Sequence, residues 1–441
     1  MSLKTPEKLR RLQEALYAKA KREPSCRFYL LYDKMWRGDV LAHAFALCRS
    51  NGGAAGVDGQ TFDDIEVYGQ ARWLDELREE VRTSSYRPDA VRRVMIPKPG
   101  GVGERPLGIP TIRDRVVQTA AKLILEPIFE ADFDDAAYGY RPGRSALGAV
   151  AKVHRAMDER RSEVIDADLT QFFDQIPHTA LMRCVARRVS DGKVLGMVKA
   201  WLKAPVEVRN ARGRSTRSGG KSATRGTPQG GVASPLLANI YMHRFIKAFR
   251  LHGLDTKYRA ELVVYADDFV VLCGGNAHEV LGIIRRWMSQ IGLTLNESKT
   301  SIRDARREHF DFLGYTFGPQ FSPRTGGRYN GACPSKKAVS RIKEAVRARL
   351  RPGNQLPFGE VVAALNRTLR GWANYFSYGS VSKARHDVDA YVEERVRAFL
   401  RRRHKVAGRG HRQFPAVKIY GALGVLSMTH LSRRGPTHAL T

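Results

Sequence analysis

Along residues 261–273, ELVVYADDFVVLC, apolar positions crowd into two short runs, 262–265 and 269–272, parted by Ala266, Asp267 and Asp268. Runs of β-branched and aromatic residues around so short a break predict a strand, a tight turn and a returning strand, with the acids at the hairpin tip. Residues 164–169, VIDADL, form another short apolar strand punctuated by acids and lead into TQFFD at 170–174. Residues 91–110 predict two strands around a Gly-rich tip, and 310–317, FDFLGYTF, a compact apolar hairpin. Elsewhere the spacing is helical: Leu9, Leu12, Leu16 and Tyr17, then stretches within 41–47, 61–81, 116–128, 236–249 and 278–291. Past a linker-like stretch at 323–330 come three further stripes. Val339, Ile342 and Val346, then Val362, Leu365, Leu369, Trp372 and Phe376, then Val388, Val392, Val396 and Phe399 predict three antiparallel helices in a small bundle.

A chain of 441 residues is too long for one core and suggests two to four domains. No stretch approaches the apolar length of a membrane span, and the first 22 residues are charged throughout, so a cytoplasmic protein is expected. Lys and Arg number 75 against 44 Asp and Glu, a net charge of +31, which marks a polyanion binder. Nucleic acid is the expected partner. An anionic membrane surface would want a basic amphipathic helix or a lipidation signal, and neither stands out. The five cysteines form no CxxC pair, which argues against a disulfide framework or a zinc module.

Adjacent aspartates on a turn are by default solvated turn residues. Context changes that reading. If the strands at 164–169 and 261–273 are neighbours in one sheet, Asp168 and Asp267 converge and can bind two hard cations through oxygen. Such a pair of ions is the usual device for nucleotidyl transfer. Asp166 and Asp174 are expected to tune or solvate the strand ends. Asp132, Asp134 and Asp135 look like a metal cluster by composition but are expected to be a solvated turn.

The YADD turn, with Asp168 five residues before Phe173, resembles the palm of a reverse transcriptase. The segments KP…RPLGIP, LEPIFEADFDDAAYGYRPGRSA, GTPQGGVASP and LNRTLRGWANYFSYG extend the resemblance specifically to the group II intron reverse transcriptase/maturase family, from about Gly56 to the C-terminus. The resemblance implies an α+β, right-hand polymerase fold: fingers and palm with an antiparallel palm sheet, then an α-helical thumb/maturase domain and a short basic C-terminal tail. The expected divisions are 1–88 for an N-terminal extension and the start of the fingers, 89–325 for fingers and palm, 330–405 for the thumb, and 406–441 for the tail.

Residue by residue, the resemblance implies that Asp168, Asp267 and Asp268, with the Leu169 carbonyl, hold two Mg²⁺ ions. Lys98 and Arg105 bracket the fingers tip and would clamp the triphosphate of an incoming dNTP. Gly103 and Glu104 depart from the family's commoner basic residues there. Phe173 resembles the steric gate that excludes a sugar 2′-hydroxyl, Gln229 lies in the motif lining the nascent base pair, and Lys299 in the one near the departing pyrophosphate. Tyr138, Tyr140, Arg141 and Arg144 combine rings and guanidinium groups suited to a template track. Phe312, Leu313 and Gly314 resemble the primer grip. Arg401, Arg402, Arg403 and Lys405 suggest RNA or DNA contact, and 22 Lys and Arg against 6 Asp and Glu from residue 330 onward strengthen that reading. The basic stretch 209–225 is expected to be a loop that contacts RNA or DNA.

The implied partners are a group II intron RNA, an RNA template and a DNA primer or target. The implied role is splicing assistance and intron mobility by target-primed reverse transcription. Neither the paired cysteines nor the HNH site of the family's optional endonuclease occurs, so no second-strand cleavage is expected and priming would come from elsewhere. Two alternatives stay open: a free-standing, host-adopted reverse transcriptase in repair or antiviral defence, and a non-catalytic RNA-binding splicing factor. The presence of both aspartate motifs, Gln229 and Lys299 speaks against the second.

Overall fold

A computed structural model describes residues 3–97, 103–209 and 215–431. Its strands are β1 (Val91–Pro97), β2 (Glu104–Ile109), β3 (Glu163–Asp168), β4 (Pro205–Arg209), β5 (Ser215–Gly219), β6 (Glu261–Tyr265), β7 (Asp268–Cys273), β8 (Ser301–Asp304), β9 (Phe310–Phe312), β10 (Tyr315–Phe321) and β11 (Arg328–Pro334). They form three sheets, ordered β2-β1-β4-β5, β6-β7-β3-β8 and β11-β10-β9.

The second sheet is the palm, antiparallel throughout. Alternation along its strands assigns each residue to one of two cores. Ile165, Ala167, Phe269 and Val271 face the helices Ser234–Leu251 and Ala277–Gln290, in the same buried cluster as the N-terminal helices and helix Ile112–Glu130. Val164, Val263, Val270 and Leu272 face the other way, onto helix Ala146–Asp158 and the β9–β11 sheet. Both faces are covered, which is why these strands read as near-continuous apolar runs.

The fingers sheet holds a departure from the sequence expectation. Of the stretch 209–225, residues 210–214 lie outside the described residues, and the rest is not simply a loop: β4 pairs in parallel with β1, and β5 lies antiparallel along β4, widening the fingers by two strands. β5, STRSG, is wholly polar and carries no strand pattern of its own; its pairing along β4 makes it a strand. Another departure is the stretch 323–330, which is the turn and start of the β10–β11 hairpin rather than a linker.

The three helices expected after residue 330 are Lys336–Arg349, Phe358–Tyr375 and Ser382–Arg403, with their own core. Trp372, Phe376 and Tyr378 also pack against the palm-side cluster, which joins thumb to palm. The expected basic tail is packed instead as far as it is described. Phe414, Ile419, Val425 and Met428 are buried in the thumb core, and Asp389 accepts hydrogen bonds from the backbone of Met428 and Thr429 and the hydroxyls of Ser427 and Thr429. Residues 414–428, FPAVKIYGALGVLSM, are largely apolar with Lys418 the one basic residue, but the apolar positions follow neither a helical nor an alternating period over any length. No helix among the described residues is long and apolar enough to cross a membrane.

Candidate active site

The antiparallel register places Asp168 directly opposite Asp268 at the end of β3 and β7. Paired residues point to the same face, so these two carboxylates and Asp166, two residues back, lie on the face of Val164 and Val270. Asp267 is in the two-residue turn, where Ala266 takes a left-handed φ of 60°. Behind that turn runs the AYGY segment. Its backbone joins the β6 edge through Tyr138 N–H to Val264 O and Val264 N–H to Ala136 O, both 2.8 Å. A Cβ on Gly139 would stand 2.6 Å from Ala266 N, so this approach requires glycine.

The acids repel one another. The Asp268 carboxyl is within hydrogen-bonding reach of Asp168; the loss of water around it, then the charges of Asp267, Asp168 and Asp166, push it up to about 7. Burial also raises Asp267, with Asp168 adding to it, and lifts Asp166 to about 6 against the opposing charge of Arg303. A cation is ion-paired to this cluster: Lys299 Nζ sits 2.8 Å from Asp168 Oδ2, and that hydrogen bond raises the lysine in turn. Asn296, which sequence reasoning passed over, donates Nδ2 to the same oxygen at 3.2 Å and its N–H to the Asp168 carbonyl at 2.8 Å. The N–H groups of Lys299 and Thr300 bond back to Asn296 O, so this turn is what returns Lys299 to the site. An Asn three residues before the lysine, at the end of a short apolar run, was the available signal.

The donor set, carboxylate oxygens gathered at the end of β3 and β7 and in the adjoining turn, suits a hard divalent cation. Among the described residues no three such groups yet stand together at metal-binding spacing. Lys299 holds the Asp168 oxygen instead, so cation binding would begin with release of that ion pair. Leu169 continues β3 as a bridge to Leu295.

The segment around Phe173 is zipped to the GTPQGG loop: Thr227 N–H donates to Phe173 O at 2.8 Å, Gly226 N–H to Ile176 O at 2.9 Å and His178 N–H to Thr224 O at 2.9 Å. Phe173 is half-buried, edge-on to Phe172 at 5.5 Å. Gln229 donates to Asp174 Oδ2 at 3.4 Å, while Gly108 N–H on β2 donates to Gln229 O at 2.5 Å. A Cβ on Gly230, at φ +106°, would run into the Gly108 carbonyl. The loop is therefore clamped between palm and fingers. Arg105 is exposed on β2 opposite Ile96; Lys98 lies outside the described residues. Arg105 and Asp267 both act on the Tyr140 hydroxyl, whose upward displacement comes chiefly from burial.

Two expected nucleic-acid contacts point inward. Arg141 is 3% exposed, pairs with Glu130 at 2.7 Å and donates to the carbonyls of Asp134 and Ala137. It ties its loop down and leaves almost no side-chain surface open to solvent. Phe312 is buried, and the carbonyls of Leu313 and Gly314 accept from Tyr375 Oη and Ser335 N–H at 2.9 and 2.8 Å. The β9–β10 hairpin is thereby seated on the thumb. Tyr138 is buried beneath Arg144, 5.7 Å from its ring, and Arg144 pairs with Asp135. Asp132 and Asp134 pair with Arg188 and Arg250 rather than lying free in a turn. At the end of the last thumb helix, Arg401 and Arg403 donate to the carbonyls of Gly408 and Leu356, while Arg402 and Lys405 are exposed.

The pattern of the reverse transcriptase (RNA-dependent DNA polymerase) family matches residues 96–317. That of the group II intron maturase-specific domain matches 339–414. Protein YkfC of Escherichia coli K12 is 33% identical over 342 residues, covering 69% of this chain and 87% of YkfC. The group II intron-encoded protein LtrA of Lactococcus lactis is 34% identical over 220 residues, covering 50% of this chain and 35% of LtrA. With the paired aspartates, the clamped GTPQGG loop and the helical thumb in this order, the chain belongs to the reverse transcriptase family, in its group II intron maturase branch.

Proposed function

We propose that the chain copies RNA into DNA by a two-metal mechanism at Asp168, Asp267 and Asp268, and separately binds a group II intron RNA as a maturase. The register that sets Asp168 against Asp268, beside Asp267 in the turn, is the observation that carries the polymerase reading. Two Mg²⁺ ions held by these carboxylates and the Leu169 carbonyl would supply Lewis acidity at the attacking and leaving oxygens. The chain's own groups do the rest. Arg105, with Lys98, binds the triphosphate and offsets charge on the pyrophosphate as it leaves. Lys299, once off Asp168, offers a cation and a proton on the same side. Phe173 closes the space beside the sugar 2′ position, and Gln229, fixed through its carbonyl to Gly108, borders the nascent pair. Tyr140 and Arg144 are the members of the template set with exposed or half-buried side chains.

The maturase role is a binding function that does not need the aspartates. It rests on the thumb, whose domain is the maturase-specific one, and on the charge of +31. The primer or target DNA, the dNTPs and a cytoplasmic ribonucleoprotein setting belong to the same reading, as do the boundaries 1–88, 89–325 and 330 onward. The test is DNA synthesis from dNTPs and Mg²⁺ on an annealed RNA template, beside splicing of the flanking RNA, for wild type and Asp267→Ala. Loss of synthesis with splicing retained is expected. No synthesis by the wild type on any template would sink the polymerase half.

A further inference from the structure

Behind the palm, helix His178–Ala186 and the C-terminal half of helix Ser234–Leu251 bound an open groove of ≈ 640 Å³, floored by Cys184, Tyr241 and Ile291. Its position is fixed by strand parity. Phe245 on the second helix packs 5.3 Å from Phe269, and Phe269, next to Asp268, faces the opposite side of the sheet. The groove is therefore across the sheet from the carboxylates.

Four cations line it: Arg183 and Arg187, one helical turn apart, and Arg244 and Lys247, three residues apart. Arg183, Arg187 and Lys247 are exposed. Among the described residues, no carboxylate is ion-paired to any of the four. Arg244 lies over the Tyr241 ring at 5.3 Å and donates to its hydroxyl at 3.2 Å, which holds the guanidinium in place. A second recess of ≈ 560 Å³ continues past Arg187, Arg244 and Lys247. The acids on that flank, Asp132 and Asp134, are already engaged by Arg188 and Arg250. Elsewhere on this chain surface arginines commonly have an acid at hand, as in Arg10 with Glu7, Arg82 with Glu79 and Arg285 with Glu297. Four cations with no ion-paired acid among the described residues, along two adjoining recesses, form a track for a polyanion.

We infer that this groove is a second nucleic-acid contact, which takes the phosphate backbone of a folded RNA while the cleft on the other side of the sheet is free to hold template and primer. The inference rests on the RNA-binding reading above and adds a surface to it. Cationic side chains spaced along two helices over an open groove suit backbone contact that positions without reading sequence.

The test uses the full chain with Arg183, Arg187, Arg244 and Lys247 all changed to Gln, and separately Ala248→Glu, which sets a negative charge in the groove. Thermal melting checks that both fold as the wild type does. Binding to a folded transcript of the flanking sequence is measured across salt concentrations, and synthesis on a short primed template is measured beside it. The fourfold variant is expected to lose about three to four units of the slope of log affinity against log salt, with short-template synthesis unchanged; Ala248→Glu should weaken RNA binding in the same direction. An unchanged slope in a wild type and variant that both bind RNA and make DNA overturns the groove alone. A groove-dependent affinity for duplex DNA equal to that for RNA overturns the assignment to RNA. A wild type that neither binds RNA nor makes DNA overturns the underlying reading and this one with it.

Discussion

Lys299 Nζ lies 2.8 Å from Asp168 Oδ2, so the ammonium of one motif already stands where the carboxylates of two others need positive charge. Lysine and cation therefore compete for one oxygen. The lysine side chain is 64% exposed, and an exposed pair of this kind is worth less than about 1 kcal/mol.

Replacing Lys299 by Ala is accordingly expected to change the metal-free melting temperature little. It should also lower the Mg²⁺ concentration at which the protein is stabilised, by up to about fivefold for 1 kcal/mol. DNA synthesis should nevertheless fall, because the same ammonium is lost from the leaving-group side. Melting against Mg²⁺ concentration, with synthesis measured in parallel, checks both effects. An unchanged Mg²⁺ midpoint would show that the ion pair does not oppose cation binding.

Gly230→Ala tests the clamp between palm and fingers. The position needs a positive φ and its Cβ would meet the Gly108 carbonyl, so the substitution combines backbone strain of about 1–3 kcal/mol with a broken approach. Synthesis is expected to fall at least about tenfold by this energy, with RNA binding by the thumb preserved. Equal loss of both would mean that the whole chain, not the clamp, had been damaged.

The strand-turn-strand at 261–273 and the order of the motifs were legible because each lies within one continuous run of sequence. What was not legible depends on pairing between distant segments. Asp268 stands opposite Asp168 through the β3–β7 register, which no local pattern specifies, so sequence reasoning ranked Asp267 above it as the partner. The strand β5 is polar and owes its form to its pairing with β4, which in turn lies along β1. Arg141 looked like its neighbours Tyr140 and Arg144, and only the position of Glu130 in the fold turns it inward.

Asp389→Ala would release the last described segment from the thumb. One buried carboxylate holds two backbone N–H groups and two hydroxyls, and its removal leaves those donors without their acceptor. Hydrogen bonds to a charged group are worth about 1.5–3 kcal/mol apiece in mutational terms, and not additively. Faster hydrogen exchange and proteolysis confined to residues 415–431 are expected, with synthesis on a short primed template unaffected. Protection equal to the wild type would show that Phe414, Ile419, Val425 and Met428 hold the segment unaided.

His243 sets an acid limit on stability. Its Nδ1 is buried without a partner, and its ring meets Phe133 at 5.8 Å. Burial, followed by the positive charges of Lys247, Arg141 and Arg187, depresses it to about 4 against the opposing charge of Asp134. A histidine depressed in the folded state contributes stability that is present above its unfolded value, near 6.5, and lost as pH falls towards 4, because the unfolded chain takes up the proton first. At pH 5 the loss relative to pH 7 reaches at most about 2 kcal/mol from this one group. His243→Gln keeps a polar side chain of similar reach but has no proton to bind. Urea unfolding at pH 7 and pH 5 should show a smaller drop for the variant than for the wild type, by about 1–2 kcal/mol. Equal drops would mean that His243 is protonated as easily inside the protein as outside it, and that the surrounding cations do not act on it.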